Sequence, residues 1–75
     1  MNKARRKIIS NVLESLRMSH STLEDVLDAE NDAYENTIEY FPDSEKAEEM
    51  EENIDCLTGA MDALEESIDQ LENIE

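Results

Sequence analysis

The chain has 75 residues, a formal charge of −15 and one cysteine, Cys56, which leaves room for one domain and none for an intrachain disulfide. No apolar run approaches the roughly 20 residues that span a bilayer. The basic N-terminus (Lys3, Arg5, Arg6, Lys7) runs into amphipathic sequence, not into the continuous apolar region of a secretory signal.

One glycine, one proline and three aromatics (Tyr34, Tyr40, Phe41) argue against β-structure, whereas the abundance of Glu, Leu, Ala, Asp and Ile suits helices. A lone cysteine and the absence of a signal fit a cytoplasmic protein. The charge is uneven. Residues 1–19 hold five Lys/Arg against Glu14, a net of +4, while residues 20–75 hold 20 acids against Lys46, a net of −19. Such a field favours a basic protein partner and disfavours direct contact with nucleic acid.

The first element is expected over about 3–38. With Ile9 as heptad position a, that position also holds Leu16, Leu23, Glu30 and Thr37. Position d holds Val12, Ser19, Val26, Ala33 and Tyr40, and position e holds Leu13, His20, Leu27, Tyr34 and Phe41. Three apolar positions per heptad make the wide stripe of a bundle helix, interrupted at Ser19-His20 and at Glu30. Ser21-Thr22-Leu23-Glu24 matches a capping box, but the heptad phase runs through it, so one continuous helix with a weak point at 19–22 is expected.

Residues 39–43 form the turn, because Pro42 cannot sit in a helix interior and biases Phe41 away from helical angles. Ser44 is a good N-cap for a second helix over about 44–74, and Glu45, Glu48 and Glu49 suit the positive end of its dipole. In that helix Ala47, Met50, Ile54, Leu57, Met61, Leu64, Ile68 and Leu71 recur at alternating steps of three and four, a narrow a/d seam. Asn53, Ala60, Ser67 and Ile74 flank it, and the small pair Ala60 and Ser67 suggests a close helix approach. A short connection makes the two helices antiparallel neighbours. The fold class is therefore all-α: a coiled-coil-like antiparallel hairpin that dimerises into a four-helix bundle. Tyr34 should lie near Ile54, Leu23 near Leu64 and Leu16 near Leu71. Residues 2–12 should project past the second helix, and Ile8, Val12, Val26 and Ile38 should be left exposed for self-association or for binding a partner.

The segment Asn36-Thr37-Ile38-Glu39-Tyr40-Phe41-Pro42-Asp43-Ser44-Glu45-Lys46, followed by Glu51-Glu52-Asn53-Ile54-Asp55-Cys56-Leu57, resembles small uncharacterised acidic helical-hairpin proteins of phages and prophages of Gram-positive bacteria. Those also open on Met-Asn-Lys and a basic cluster, as Met1 to Lys7 do here. In them a helix ends near an Asn-x-Pro-Glu-Asn-Leu turn and an acidic helix opens at Ser-Glu-Arg. This chain departs at the turn, with Ile38 at the usual proline, Tyr40 at the usual asparagine and the proline moved to Pro42. The resemblance covers nearly the whole chain. It implies a phage accessory protein and carries no mechanism of its own.

Catalytic chemistry is not expected. His20 is the only histidine, so neither a Ser-His-acid triad nor a two-His metal site can be assembled from it within one chain, and it reads as a polar residue at the edge of the core stripe. Cys56 has acidic neighbours, Glu52 and Asp55, where a nucleophile needs a base. Asp28, Glu30, Asp32 and Glu39 match positions of a calcium-loop template, but Ala33 stands at its glycine and the helical phase is unbroken. No cofactor is expected.

The acidic rows carry the sharpest functional expectation. Asp25, Asp28, Asp32, Glu35 and Glu39 line one outer face of the first helix. Glu48, Glu52, Asp55, Asp62, Glu65, Glu66, Asp69 and Glu72 do so on the second. Steps of three and four place charges about 4.5–6 Å apart along the axis, comparable with phosphates along a nucleic-acid strand. A rod carrying such rows fits the groove of a nucleic-acid-binding protein in the manner of a DNA mimic, and the phage resemblance implies a host defence protein, such as a CRISPR effector, as the target it inhibits. The plainer alternative is a solvated face that keeps a small bundle soluble. A reading of a different class is a structural or adaptor coiled coil that uses its apolar seam. A third has Lys3-Ala4-Arg5-Arg6-Lys7 touching nucleic acid.

Overall fold

The computed structural model describes residues Met1–Glu75 and consists of two antiparallel helices, α1 (Lys3–Tyr40) and α2 (Glu45–Glu72). The Asn2 side chain opens α1, its Oδ1 accepting the Arg5 N–H at 2.9 Å. The helix runs unbroken through residues 19–22, and the capping box there is not used. Instead the Thr22 hydroxyl donates to the Met18 carbonyl one turn back at 3.0 Å, which satisfies it within the helix.

α1 continues to Tyr40, two residues beyond the expected end. Phe41, directly before Pro42, leaves helical angles (φ −139°, ψ 66°), because the proline ring restricts only the residue that precedes it. Ser44 then caps α2, its Oγ accepting the Ala47 N–H at 3.1 Å, with Glu45 and Glu48 in the first turn. α2 ends at Glu72, short of the expected 74, with Asn73 as its cap.

The seam of α2 falls where its spacing puts it. Ala47 and Met61 are buried, and Met50, Ile54, Leu57, Leu64, Ile68 and Leu71 are half-buried against α1. α1 differs from expectation. Its inward residues follow positions a and e: Ile9, Leu13, Leu16, His20, Leu23, Leu27, Glu30, Tyr34 and Thr37 are all half-buried, joined near the turn end by Asn31, Ala33 and Ile38. At position d, Val12 and Val26 stay 43% and 45% exposed and Tyr40 72%. Two helices meet along one line and cover about two positions per heptad on each, so the third apolar position has no partner within the hairpin. Ile38 is half-buried, while Ile8 is exposed. Ala60 and Ser67 are also exposed; the helices approach along the seam and not along those small residues.

The Cα envelope measures 57 × 15 × 13 Å, a length that the 38 residues of α1 account for at about 1.5 Å each. α2 has 28 residues, so the first turns of α1 overhang its end. They carry Lys3, Arg5, Arg6 and Lys7. No helix of the chain is long and apolar enough to cross a membrane.

Candidate functional site

Cross-helix contacts define two unlike sides of the rod. Tyr34 Oη donates to Glu51 Oε1 at 2.9 Å, His20 Nε2 lies 2.9 Å from Glu65 Oε1, and an Arg17 guanidinium nitrogen lies 3.5 Å from Glu72 Oε2. These residues flank the seam on one side only. That side therefore presents heptad positions b and e of α1 together with the Glu51, Glu65 and Glu72 edge of α2.

The acids gather there. Asp28 and Glu35 of α1 and Glu48, Asp55, Asp62, Glu65, Asp69 and Glu72 of α2 face this side, all exposed. Asp25, Asp32 and Glu39 of α1 and Glu52 and Glu66 of α2 stand at the outer poles of the two helices, also exposed. Glu24 and Glu51, which the row pattern leaves out, join the acidic side through their contacts with His20 and Tyr34. Between the helices it carries a shallow open groove lined by Asn31, Tyr34, Glu48, Glu51, Glu52, Ile54 and Asp55.

Little of this charge is neutralised internally. His20 engages Glu24 (Nδ1–Oε1, 3.2 Å) and Glu65, and Arg17 engages Glu72. The basic overhang makes no ion pair with the acidic end of α2; the one Arg or Lys ion pair across the helices is Arg17–Glu72. His20 is 16% exposed at its side chain, a seam residue whose two ring nitrogens each face a carboxylate. When the ring carries both protons it can donate to both. Glu51 accepting the Tyr34 hydrogen bond holds that hydroxyl above the ordinary tyrosine pKa, and partial burial and the carboxylate charge add to the effect.

Asp28, Glu30, Asp32 and Glu39 lie in one unbroken helix, with Glu30 turned toward the seam and the other three outward. No group of three or more His, Cys, Asp or Glu side chains converges on a point that could hold a metal ion. Cys56 is exposed on the side away from the acidic groove.

The opposite side has no charge over most of its length. Between Ile8 and Tyr40, positions d and g of α1 read Ile8, Val12, Ser15, Ser19, Thr22, Val26, Ala29, Ala33, Asn36 and Tyr40; the facing flank of α2 opens on the charged Lys46 and Glu49 near the turn and then reads Asn53, Cys56, Ala60, Ala63, Ser67 and Gln70. All are exposed except the half-buried Ala33. In a chain with 36% charged residues this gap is a real asymmetry. Its signal in the sequence is the missing charge at positions filled by Ser, Thr, Ala and Asn, which neither the apolar nor the acidic pattern marks.

Fold and charge together define a class: an antiparallel two-helix hairpin with one acidic side, one charge-free side and a basic overhang. No protein-family model matches the chain, and neither a curated protein nor a solved structure shows significant similarity to it.

Proposed function

We propose that the hairpin is a phage-encoded inhibitor, of the anti-CRISPR kind, that binds the basic nucleic-acid-binding surface of a host defence protein and presents its acidic rows in place of phosphates. The observation that carries this reading is the disposition of the rows. All thirteen acids named in them are exposed, and they occupy the acidic side and the outer poles, none of them on the other side. A net charge of −15 along 57 Å is about one negative charge per 4 Å of axis, close to the one per ~3.4 Å of a nucleic-acid strand. A rigid rod with that linear density competes for the same Lys and Arg side chains and releases the same kind of condensed counterions. In this reading the protein acts in the cytoplasm of the host cell, as a homodimer in the form of a four-helix bundle, and performs no catalysis.

The test is capture of partners from infected host lysate on the immobilised hairpin, with mass spectrometry of what binds. The reading expects a basic nucleic-acid-binding protein whose affinity falls steeply between 50 and 500 mM salt and which nucleic acid displaces. Replacing Asp62, Glu65, Glu66, Asp69 and Glu72 by their amides should abolish that binding while leaving helicity equal or slightly higher, since like charges at i, i+3 and i+4 repel. Neutralised variants of both helices that bind with unchanged affinity and salt dependence would end the proposal.

A second reading, an adaptor that engages its partner through apolar contacts, is favoured by the exposure of Val12 and Val26. It expects binding that tolerates salt and neutralisation and is lost on changing those two residues.

A further inference from the structure

We infer that the charge-free side is the interface for a second copy of this chain, packed antiparallel to the first. The inference rests on the homodimer of the proposed function and is independent of the basic partner. Three features of the hairpin support it.

The first is incomplete burial. Only Ala47 and Met61 are buried, and the seam leucines and isoleucines of both helices remain half-exposed, so the hairpin alone closes little core. Small chains of this size usually complete theirs by a staple or by oligomerisation. A partner laid on the charge-free side covers Val12 and Val26, the leftover third position of the α1 stripe, together with one edge of the seam.

The second is fit. Ser, Thr and Ala dominate that side, and such residues let helices of two hairpins approach closely without burying a charge. Its footprint, from Ile8 to Tyr40 at ~1.5 Å per residue and across the 15 Å width, is on the order of 700 Å² per copy, close to the roughly 800 Å² that one partner contributes to a standard stable interface. Because the same side serves both copies, the contact is isologous and closes as a dimer.

The third is charge, which fixes the direction. Lys3, Arg5, Arg6 and Lys7 lie at the open end, and Glu39, Asp43, Glu45, Glu48 and Glu49 with Lys46 at the turn end. A parallel dimer sets the two basic ends together and the two acidic ends together. An antiparallel dimer sets each basic overhang against the acidic turn of the other copy, which complements both. It also leaves both acidic sides facing outward, on opposite flanks of a four-helix rod.

The experiment is sedimentation equilibrium on the full chain and on two separate variants, Val26→Glu and Ala63→Glu, with helicity followed by circular dichroism. Both residues are exposed in the hairpin, and Ala63 lies outside its seam, so Ala63→Glu decides if Val26→Glu loses helix. The parent chain should dimerise at micromolar concentration, and each folded variant should dimerise at least tenfold more weakly. A monomeric parent chain, as an adaptor with a different occupant on this side requires, overturns the inference, and so does dimerisation unchanged in Ala63→Glu. Direction is read from the distance between nitroxide labels at Ala4→Cys in a Cys56→Ser background. Antiparallel packing places them about 50 Å apart along the axis at ~1.5 Å per residue; a separation below about 30 Å overturns that arrangement. Failure of the lysate capture leaves these outcomes untouched, and a monomer here leaves the acidic rows free to bind.

Discussion

Gly59 sits in the middle of α2 at an exposed position with an ordinary negative φ, and a Cβ added there meets nothing within 4 Å. Nothing in the hairpin requires a glycine at that point. Gly59→Ala should therefore stabilise the helix by about 0.5–1 kcal/mol, mainly by restricting the unfolded chain, and raise the melting temperature by several degrees at fixed protein concentration. An unchanged or lower midpoint would mean that the space over Gly59 is filled by something outside the hairpin. Tyr34 yields a pH prediction. Its pKa is raised by the hydrogen bond to Glu51, so the folded state holds the proton more tightly than the unfolded state does. The contribution is fully present below the ordinary tyrosine value of about 10 and is lost as pH rises from there through the higher folded value. Thermal melts between pH 8 and 11 should show the parent protein losing more stability than Tyr34→Phe, with Tyr40 cancelling in the comparison. Equal slopes would remove the Tyr34–Glu51 contact from the solution structure.

At the level of the helices, the seam is the structure. Leu64 lies mid-seam in α2, half-buried and next to Glu65, which meets His20 of α1, and Leu64→Asp places a carboxylate there beside other carboxylates. The lost burial and the unpaired charge together cost about 3 kcal/mol or more, a large share of the stability of a chain this short. Helical circular dichroism should collapse; unchanged helicity and melting temperature would show the seam to be elsewhere. The seam of α2 was legible in the sequence because its three-four spacing has no interruption and only one phase fits it. Less of α1 was legible, since three positions per heptad are apolar and choosing two of them depends on which partner lies opposite. A single narrow-seamed neighbour selects a and e and leaves Val12 and Val26 outside. The end of α1 was displaced for a local reason: Pro42 acts on Phe41 and leaves Ile38 to Tyr40 free to stay helical. The acidic rows could be read as exposed from spacing alone. Their collection on one side could not, because it depends on which flank of α1 meets which flank of α2, and that is visible only in contacts such as His20–Glu65 and Tyr34–Glu51.

For the whole molecule, the question is whether charge holds the rod together or strains it. Twenty-one acids are opposed by six Lys and Arg and one His, and the ion contacts engage only Glu24, Glu65 and Glu72. Acids repeated at three- and four-residue steps repel by a few tenths of a kcal/mol per pair, and rows on two adjacent helices add to this. The Arg17–Glu72 pair is about half exposed on both sides and returns less than about 1 kcal/mol. The basic turns at the start of α1 and the acidic last turn of α2 each oppose their own helix dipole, so the open end is the weak end. Repulsion therefore outweighs attraction at neutral pH. Raising salt from 0.01 to 0.15 M shortens the screening length from about 30 to about 8 Å, which relieves the long-range repulsion between rows more than it weakens the few close pairs. The melting temperature should rise by several degrees across that range. The amide variants at Asp62, Glu65, Glu66, Asp69 and Glu72, already relieved of part of the repulsion, should rise by less. A parent midpoint that falls with salt would show attraction to be dominant, through the basic overhang and the acidic turn of another copy, and the acidic rows would then be a stabilising element of the assembly.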